Sequence, residues 1–91
     1  MEWHYEDGRI CSFDERGEVL AEATYVTKTD GEVDINYTYV KPALRGRGVA
    51  GEMMRVMICH LRGKGLRAAA SCSYARRWLD DHREAYADII A

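Results

Sequence analysis

The feature that most constrains this chain is a change of hydrophobic period at its only proline, Pro42. Before it, Val33, Ile35, Tyr37 and Tyr39 alternate with Asp34, Asn36 and Thr38, a period of two that marks a half-buried strand. After it, Val49, Met53, Val56, Met57, His60 and Leu61 recur at spacings of three and four, which gives a helix from about Gly48 to Arg62 one apolar face. Between the two lies Arg45-Gly46-Arg47-Gly48-Val49-Ala50, a glycine-rich turn joining a strand to an amphipathic helix.

The rest of the chain is punctuated by glycine. Arg9 to Phe13 reads as a short strand running into the turn Asp14-Glu15-Arg16-Gly17, and Glu18 to Lys28 is rich in strand formers. Thr29-Asp30-Gly31 supplies the next hairpin turn, with the Asp-Gly pair that tight hairpins favour. Gly63-Lys64-Gly65 ends the helix, and Leu66 to Cys72 is a short small-residue run that its length and the preceding glycines assign to a strand. Ser73 to Ile90 is helical in character, with Trp78, Leu79, Tyr86, Ile89 and Ile90 as core candidates and Asp80-Asp81 as a break. The expected fold is therefore α+β: a three-stranded antiparallel meander, a helix, a strand parallel to the third, and a C-terminal helix or helices. Ninety-one residues suffice for one domain with one core, spanning 1–91, and leave little chain to wall off a deep pocket.

Charge and composition narrow the function classes. No run approaches the roughly 18–20 apolar residues of a membrane span, and Met1-Glu2-Trp3-His4 does not open a signal peptide. The three cysteines, Cys11, Cys59 and Cys72, are odd in number and widely spaced, which argues against a disulfide framework or a zinc site and for a reducing cytoplasm. A net charge of −2 gives no global basic field for nucleic acid. Between Lys41 and Arg67, however, the basic residues Lys41, Arg45, Arg47, Arg55, Arg62, Lys64 and Arg67 face the single acid Glu52. A basic island in an acidic chain points to a local anion site.

The glycine turn is where such an anion would sit. The first turn of a helix has unpaired amides and a partial positive charge, so a pyrophosphate is bound without a dedicated side chain. Gly46 and Gly48 let the backbone approach closely, and Arg45 and Arg47 add charge-assisted hydrogen bonds. The spacing fits neither a nucleoside-triphosphate loop nor the three-glycine dinucleotide fingerprint.

Val40-Lys41-Pro42-Ala43-Leu44-Arg45-Gly46-Arg47-Gly48-Val49-Ala50-Gly51-Glu52-Met53-Met54 resembles motif A of the GCN5-related N-acetyltransferases, whose Gln/Arg-x-x-Gly-x-Gly/Ala core is filled by Arg45, Gly48 and Ala50. Ser71-Cys72-Ser73-Tyr74-Ala75-Arg76-Arg77-Trp78-Leu79, with His82 and Tyr86-Ala87-Asp88 after it, is similar to the small members of about ninety residues. The resemblance implies an acetyl-CoA cosubstrate with no metal. Its pantetheine would meet the backbone of Tyr39 and Val40, and its pyrophosphate the amides of Arg45, Gly46, Arg47, Gly48, Val49 and Ala50. It implies direct attack by a small or protein-borne amine on the thioester, with a backbone N–H near Val40 for the oxyanion and Tyr74 as the acid for the leaving thiolate.

Cys72 is a candidate nucleophile for an acyl-cysteine route, since a thiolate near a helix N-terminus and Arg76 or Arg77 is activated. It is also a candidate packing residue, the role expected of Cys11 and Cys59. His60 and His82 are expected to be satisfied structural histidines, and His4 to lie in a loose terminus. The small members tend to carry histidine before the threonine of the third strand, where this chain has Tyr37 before Thr38.

Other readings stay open. One is a CoA-binding module without turnover. Another is an interaction module built on Trp3, Tyr5, Tyr25, Tyr37, Tyr39 and Trp78, in which a homodimer would supply the acceptor wall that the short chain lacks. Nucleic-acid binding through the basic island is disfavoured by the acidic flanks.

Overall fold

The computed structural model describes all residues from Met1 to Ala91. One five-stranded sheet runs in chain order: β1 (His4–Glu6), β2 (Arg9–Phe13), β3 (Val19–Thr29), β4 (Glu32–Val40) and β5 (Arg67–Ala70). The first four strands are antiparallel neighbours and β5 runs parallel to β4. A 3-10 turn at Pro42–Leu44 leads into helix α1 (Val49–Gly63), and α2 (Ser73–Asp81) follows β5. No helix is long and apolar enough to cross a membrane.

The meander has one strand more than expected. His4 is not in a loose end: His4-Tyr5-Glu6 pairs with Cys11, Ile10 and Arg9. The C-terminal segment departs in the other direction, because the helix stops at Asp81 and the chain continues in turns to Ile90, which bridges Ala68 beside β5. The Trp78 ring stacks with both His82 and Tyr86, at centroid distances of 3.9 Å and 5.5 Å. The Arg62 guanidinium clamps both carboxylate oxygens of Asp88 at 3.0 Å.

The helices cover one face of the sheet. Met53, Met54, Met57, Ile58 and Leu61 of α1 are fully buried against Ile10, Ala21, Ala23, Ile35 and Ala68, and α2 adds Ala75, Trp78 and Leu79. The α1 stripe is therefore rotated from the expected one: Met54 and Ile58 are inside, whereas Val56 is only half-buried.

The strand pairing corrects the expected alternation of β4. Tyr25 pairs with Ile35 but Thr24 pairs with Tyr37, so Asn36 is an extra residue, a β-bulge. Beyond the bulge the faces exchange. Thr38 and Val40 pair with the buried Ala23 and Ala21 and join the helix face, while Tyr37 and Tyr39, opposite Thr24 and Glu22, turn to the open face. Tyr37 is 47% exposed as a result.

Candidate active site

The β4–β5 pairing ends at Ile35–Ala70. The carbonyl of Ile35 then accepts the amides of both Ser71 and Cys72, and the strands part as α2 begins. Residues 36–40 of β4 are left with one free edge. Lys41 donates its amide to Leu20, so the alternation of an antiparallel ladder turns the N–H groups of Thr38 and Val40 away from β3 and into the gap.

A cavity of about 420 Å³ fills this gap. Its walls come from three elements: Thr38, Tyr39 and Val40 from the free edge, Gly48, Val49, Ala50 and Met53 from the start of α1, and Tyr74 from α2. Leu44, Arg45, Gly46 and Gly51 complete the lining. Arg47 and Cys72 do not line it, so of the residues singled out in the sequence these two stand outside the cavity wall.

The glycine turn is built for an anion. Gly46 and Gly48 have φ of 80° and 79°, the left-handed region that a β-carbon disfavours, and no atom lies within 4 Å of where that carbon would be. Gly48 caps α1 without any side-chain hydrogen bond. None of the successive amides of Gly46, Arg47, Gly48, Val49, Ala50 and Gly51 finds a backbone acceptor, the first to do so being Glu52, bonded to Gly48. A row of unpaired N–H groups at a helix N-terminus is an anion nest. Arg45 donates from Nε to the Val40 carbonyl at 3.1 Å, which fixes the turn to the end of β4. The one acid of the basic island is held by another partner, since the Glu52 carboxylate accepts the Trp3 indole N–H at 2.8 Å.

The far end of the cavity carries the titratable groups. Partial burial pushes the Tyr74 phenol above its ordinary value, opposed by the Arg55 guanidinium, so it stays protonated at neutral pH. Behind the wall, Cys72 Sγ lies 3.3 Å from Thr38 Oγ1. Burial pushes this thiol up, but the Thr38 hydroxyl and the amides of Ala75, Tyr74 and Thr38 outweigh it and hold the thiol below its ordinary value. Thr38 is a site residue that sequence reasoning missed, as it did the lining residues Leu44, Gly51 and Met53, and only its place before the strand's end hinted at it.

The remaining cysteines and histidines sort differently from expectation. Cys11 is buried, but Cys59 is exposed rather than packed in the core. His82 Nδ1 meets the Trp78 carbonyl at 2.8 Å, as expected of a satisfied ring. His60 is not satisfied: its Nε2 is buried without a partner beneath Tyr5, stacked at 4.9 Å, and burial with the Lys64 charge holds the ring below its ordinary value.

The family model described as GCN5-related N-acetyl-transferase matches residues 9–89. No curated protein matches the chain in sequence. Among solved structures, a Staphylococcus aureus protein classed as a GCN5-like N-acetyltransferase is 29% identical with a TM-score of 0.81, the match covering 99% of this chain and 87% of that one. Tetrahymena GCN5 is 9% identical with a TM-score of 0.66, over 80% of this chain and 48% of its own. Ard1 from Thermoplasma volcanium is 15% identical with a TM-score of 0.65, over 82% and 53%. At the last two identities the likeness is one of fold, and the chain spans about half of those larger proteins. With its glycine turn, parted parallel strands and a family match over nearly its whole length, the chain belongs to the GCN5-related N-acetyltransferase family.

Proposed function

We propose that residues 1–91 work as one acyl-CoA-binding domain that transfers an acetyl group from acetyl-CoA to an amine by direct attack. The observation that carries this reading is the row of unpaired amides from Gly46 to Gly51 at one end of the cavity. The pyrophosphate lies on that nest, beside Arg45 and Arg47. The pantetheine extends the sheet along the free edge at Tyr39 and Val40, and the thioester reaches the end where Tyr74 stands. These residues suit the group, since the glycines leave open the space that side chains would fill.

A neutral amine attacks the thioester carbonyl, forming a C–N bond and an oxyanion that the Val40 N–H stabilises. The nitrogen sheds a proton, the C–S bond breaks, and the departing thiolate takes the Tyr74 proton. Tyr74 is reprotonated from solvent. Unpaired thiols at Cys11, Cys59 and Cys72 support a reducing cytoplasmic setting.

A second reading is favoured by one observation, the lowered thiol of Cys72 beside the gap. There Cys72 Sγ would attack the thioester, expel the CoA thiolate and pass the acetyl group on to the amine. Direct attack is preferred because the sulfur does not line the cavity.

Amide chemical-shift mapping with acetyl-CoA tests the reading. The expected result is the largest perturbations at Val40 and from Gly46 to Gly51, with CoA thiol released when an amine is added. Perturbation without thiol release from any amine would leave a CoA-binding module without turnover. Mass spectrometry after acetyl-CoA alone tests the second reading, which requires an acetyl adduct on Cys72.

A further inference from the structure

The bulge at Asn36 sends Tyr37 and Tyr39 to the face of the sheet that no helix covers. There they border a second concavity of about 410 Å³ with Glu18, Val19, Glu22 and Lys41. Tyr39 also borders the donor cavity, so a single β4 residue separates the two. Attack on a thioester carbonyl comes from above or below its plane. α1 and Tyr74 line the helix side of the gap, where the donor lies, which leaves the open sheet face as the direction of approach for the acceptor.

This groove carries two carboxylates, whereas no acidic residue lines the donor cavity. Both Arg9 Nε and Nη2 bond the same oxygen of Glu22, Oε2, at 2.9 Å and 2.6 Å, and Oε1 has no protein donor. The Glu18 carboxylate makes only a 3.8 Å ion pair with Lys41 and is 64% exposed. Two phenol rings stand beside these carboxylates, and aromatic faces attract alkylammonium groups. The two carboxylates are thus on the open face of β4, with Lys41 beside them, while Arg45 lines the donor cavity on the helix face.

We propose that this groove is the acceptor site and that the acceptor is a primary alkylamine arriving as an ammonium ion, either a lysine side chain or a small aliphatic diamine. The inference rests on the donor reading above. Glu18 and the free Oε1 of Glu22 hold the ammonium between Tyr37 and Tyr39. The ammonium loses one proton to solvent before attack and a second after the C–N bond forms. As the C–S bond breaks, the CoA thiolate recovers one of these through Tyr74, and the other goes to bulk water.

The test measures CoA release from acetyl-CoA with three acceptors: Nα-acetyl-lysine amide, 1,4-diaminobutane and, as a control, β-alanine. Acetyl-CoA binding is titrated in parallel. Turnover of either or both cationic alkylamines, and not of β-alanine, is the expected result, and which of the two reacts identifies the source. Glu18→Lys, which changes an exposed side chain, and Glu22→Gln, which keeps an acceptor for Arg9, are each expected to raise KM for the amine on the order of tenfold with acetyl-CoA affinity unchanged. Acetyl-CoA binding with no turnover of either amine, or turnover indifferent to both variants, overturns the acceptor assignment while the donor reading stands. Failure of acetyl-CoA to bind overturns both.

Discussion

The Thr38 hydroxyl lies 3.3 Å from the Cys72 sulfur, joining the free edge of β4 to the first turn of α2 across the opening of the sheet. This contact and the adjacent amides hold the thiol below its ordinary value against the upward push of burial. Alkylation of Cys72 by iodoacetamide should therefore show a pH midpoint below the ordinary thiol value of about 8.5. Thr38→Val removes the hydroxyl at nearly constant volume and should move the Cys72 midpoint up. A midpoint unaffected by the substitution would assign the shift to the helix amides alone.

Gly48 holds φ at 79° in a place where a β-carbon meets open space. Gly48→Val should then destabilise through backbone strain rather than collision, by about 1–2 kcal/mol. That corresponds to roughly 4–16 °C in Tm for a domain of this size. The added side chain also occupies the nest, so acetyl-CoA affinity should fall by more than about tenfold, measured by titration below the lowered Tm.

Tyr74 is 39% exposed and contributes little to the core. Tyr74→Phe should leave Tm within about 4 °C of the parent, since such surface changes are worth under about 0.5 kcal/mol. If the phenol protonates the departing thiolate, kcat falls on the order of a hundredfold with KM for acetyl-CoA unchanged. Equal kcat in the two proteins would remove Tyr74 from the mechanism.

Asp88 ties the C-terminal turns to α1, and its hydrogen bond with Arg62 holds its carboxyl below the ordinary value. A carboxylate depressed in the fold contributes stability that is present above its unfolded pKa of about 3.9 and is lost as pH falls through the folded value. Asp88→Asn should therefore lower Tm modestly at pH 7, with the difference closing as pH drops below about 4. Both groups are on the surface, so the difference should also shrink in high salt.

What the sequence disclosed follows from how local each signal is. The change of period at Pro42 and the paired glycines are local, and they located β4, α1 and the nest. β1 escaped because His4-Tyr5-Glu6 is exposed and shows no burial pattern, being held by its ladder to Arg9–Cys11 and by the Tyr5 ring on His60. The end of α2 was overrun because Trp78, His82 and Tyr86 keep a helical spacing of four. In the fold that spacing serves a stack of rings, with isolated bonds from Tyr86 to His82 and from Ile90 to Tyr86.

The site was legible in the same uneven way. Val40, Arg45, Gly46, Gly48, Val49, Ala50 and Tyr74 line one cavity, the glycine turn having been marked by its residues and Val40 and Tyr74 by the resemblance alone. The Asn36 bulge carries no residue signature, yet it reverses Tyr37 and Tyr39 and aims the Val40 amide into the gap. The Thr38–Cys72 contact spans 34 residues and arises only from the topology that places β5 beside β4.

Isothermal titration with acetyl-CoA, alongside ATP as a phosphate-bearing control, tests the central claim most directly. The account predicts saturable binding of one acetyl-CoA per chain and no binding of ATP at the same concentration. No heat of binding with acetyl-CoA at about 1 mM, a limit of about 4 kcal/mol in affinity, would contradict it.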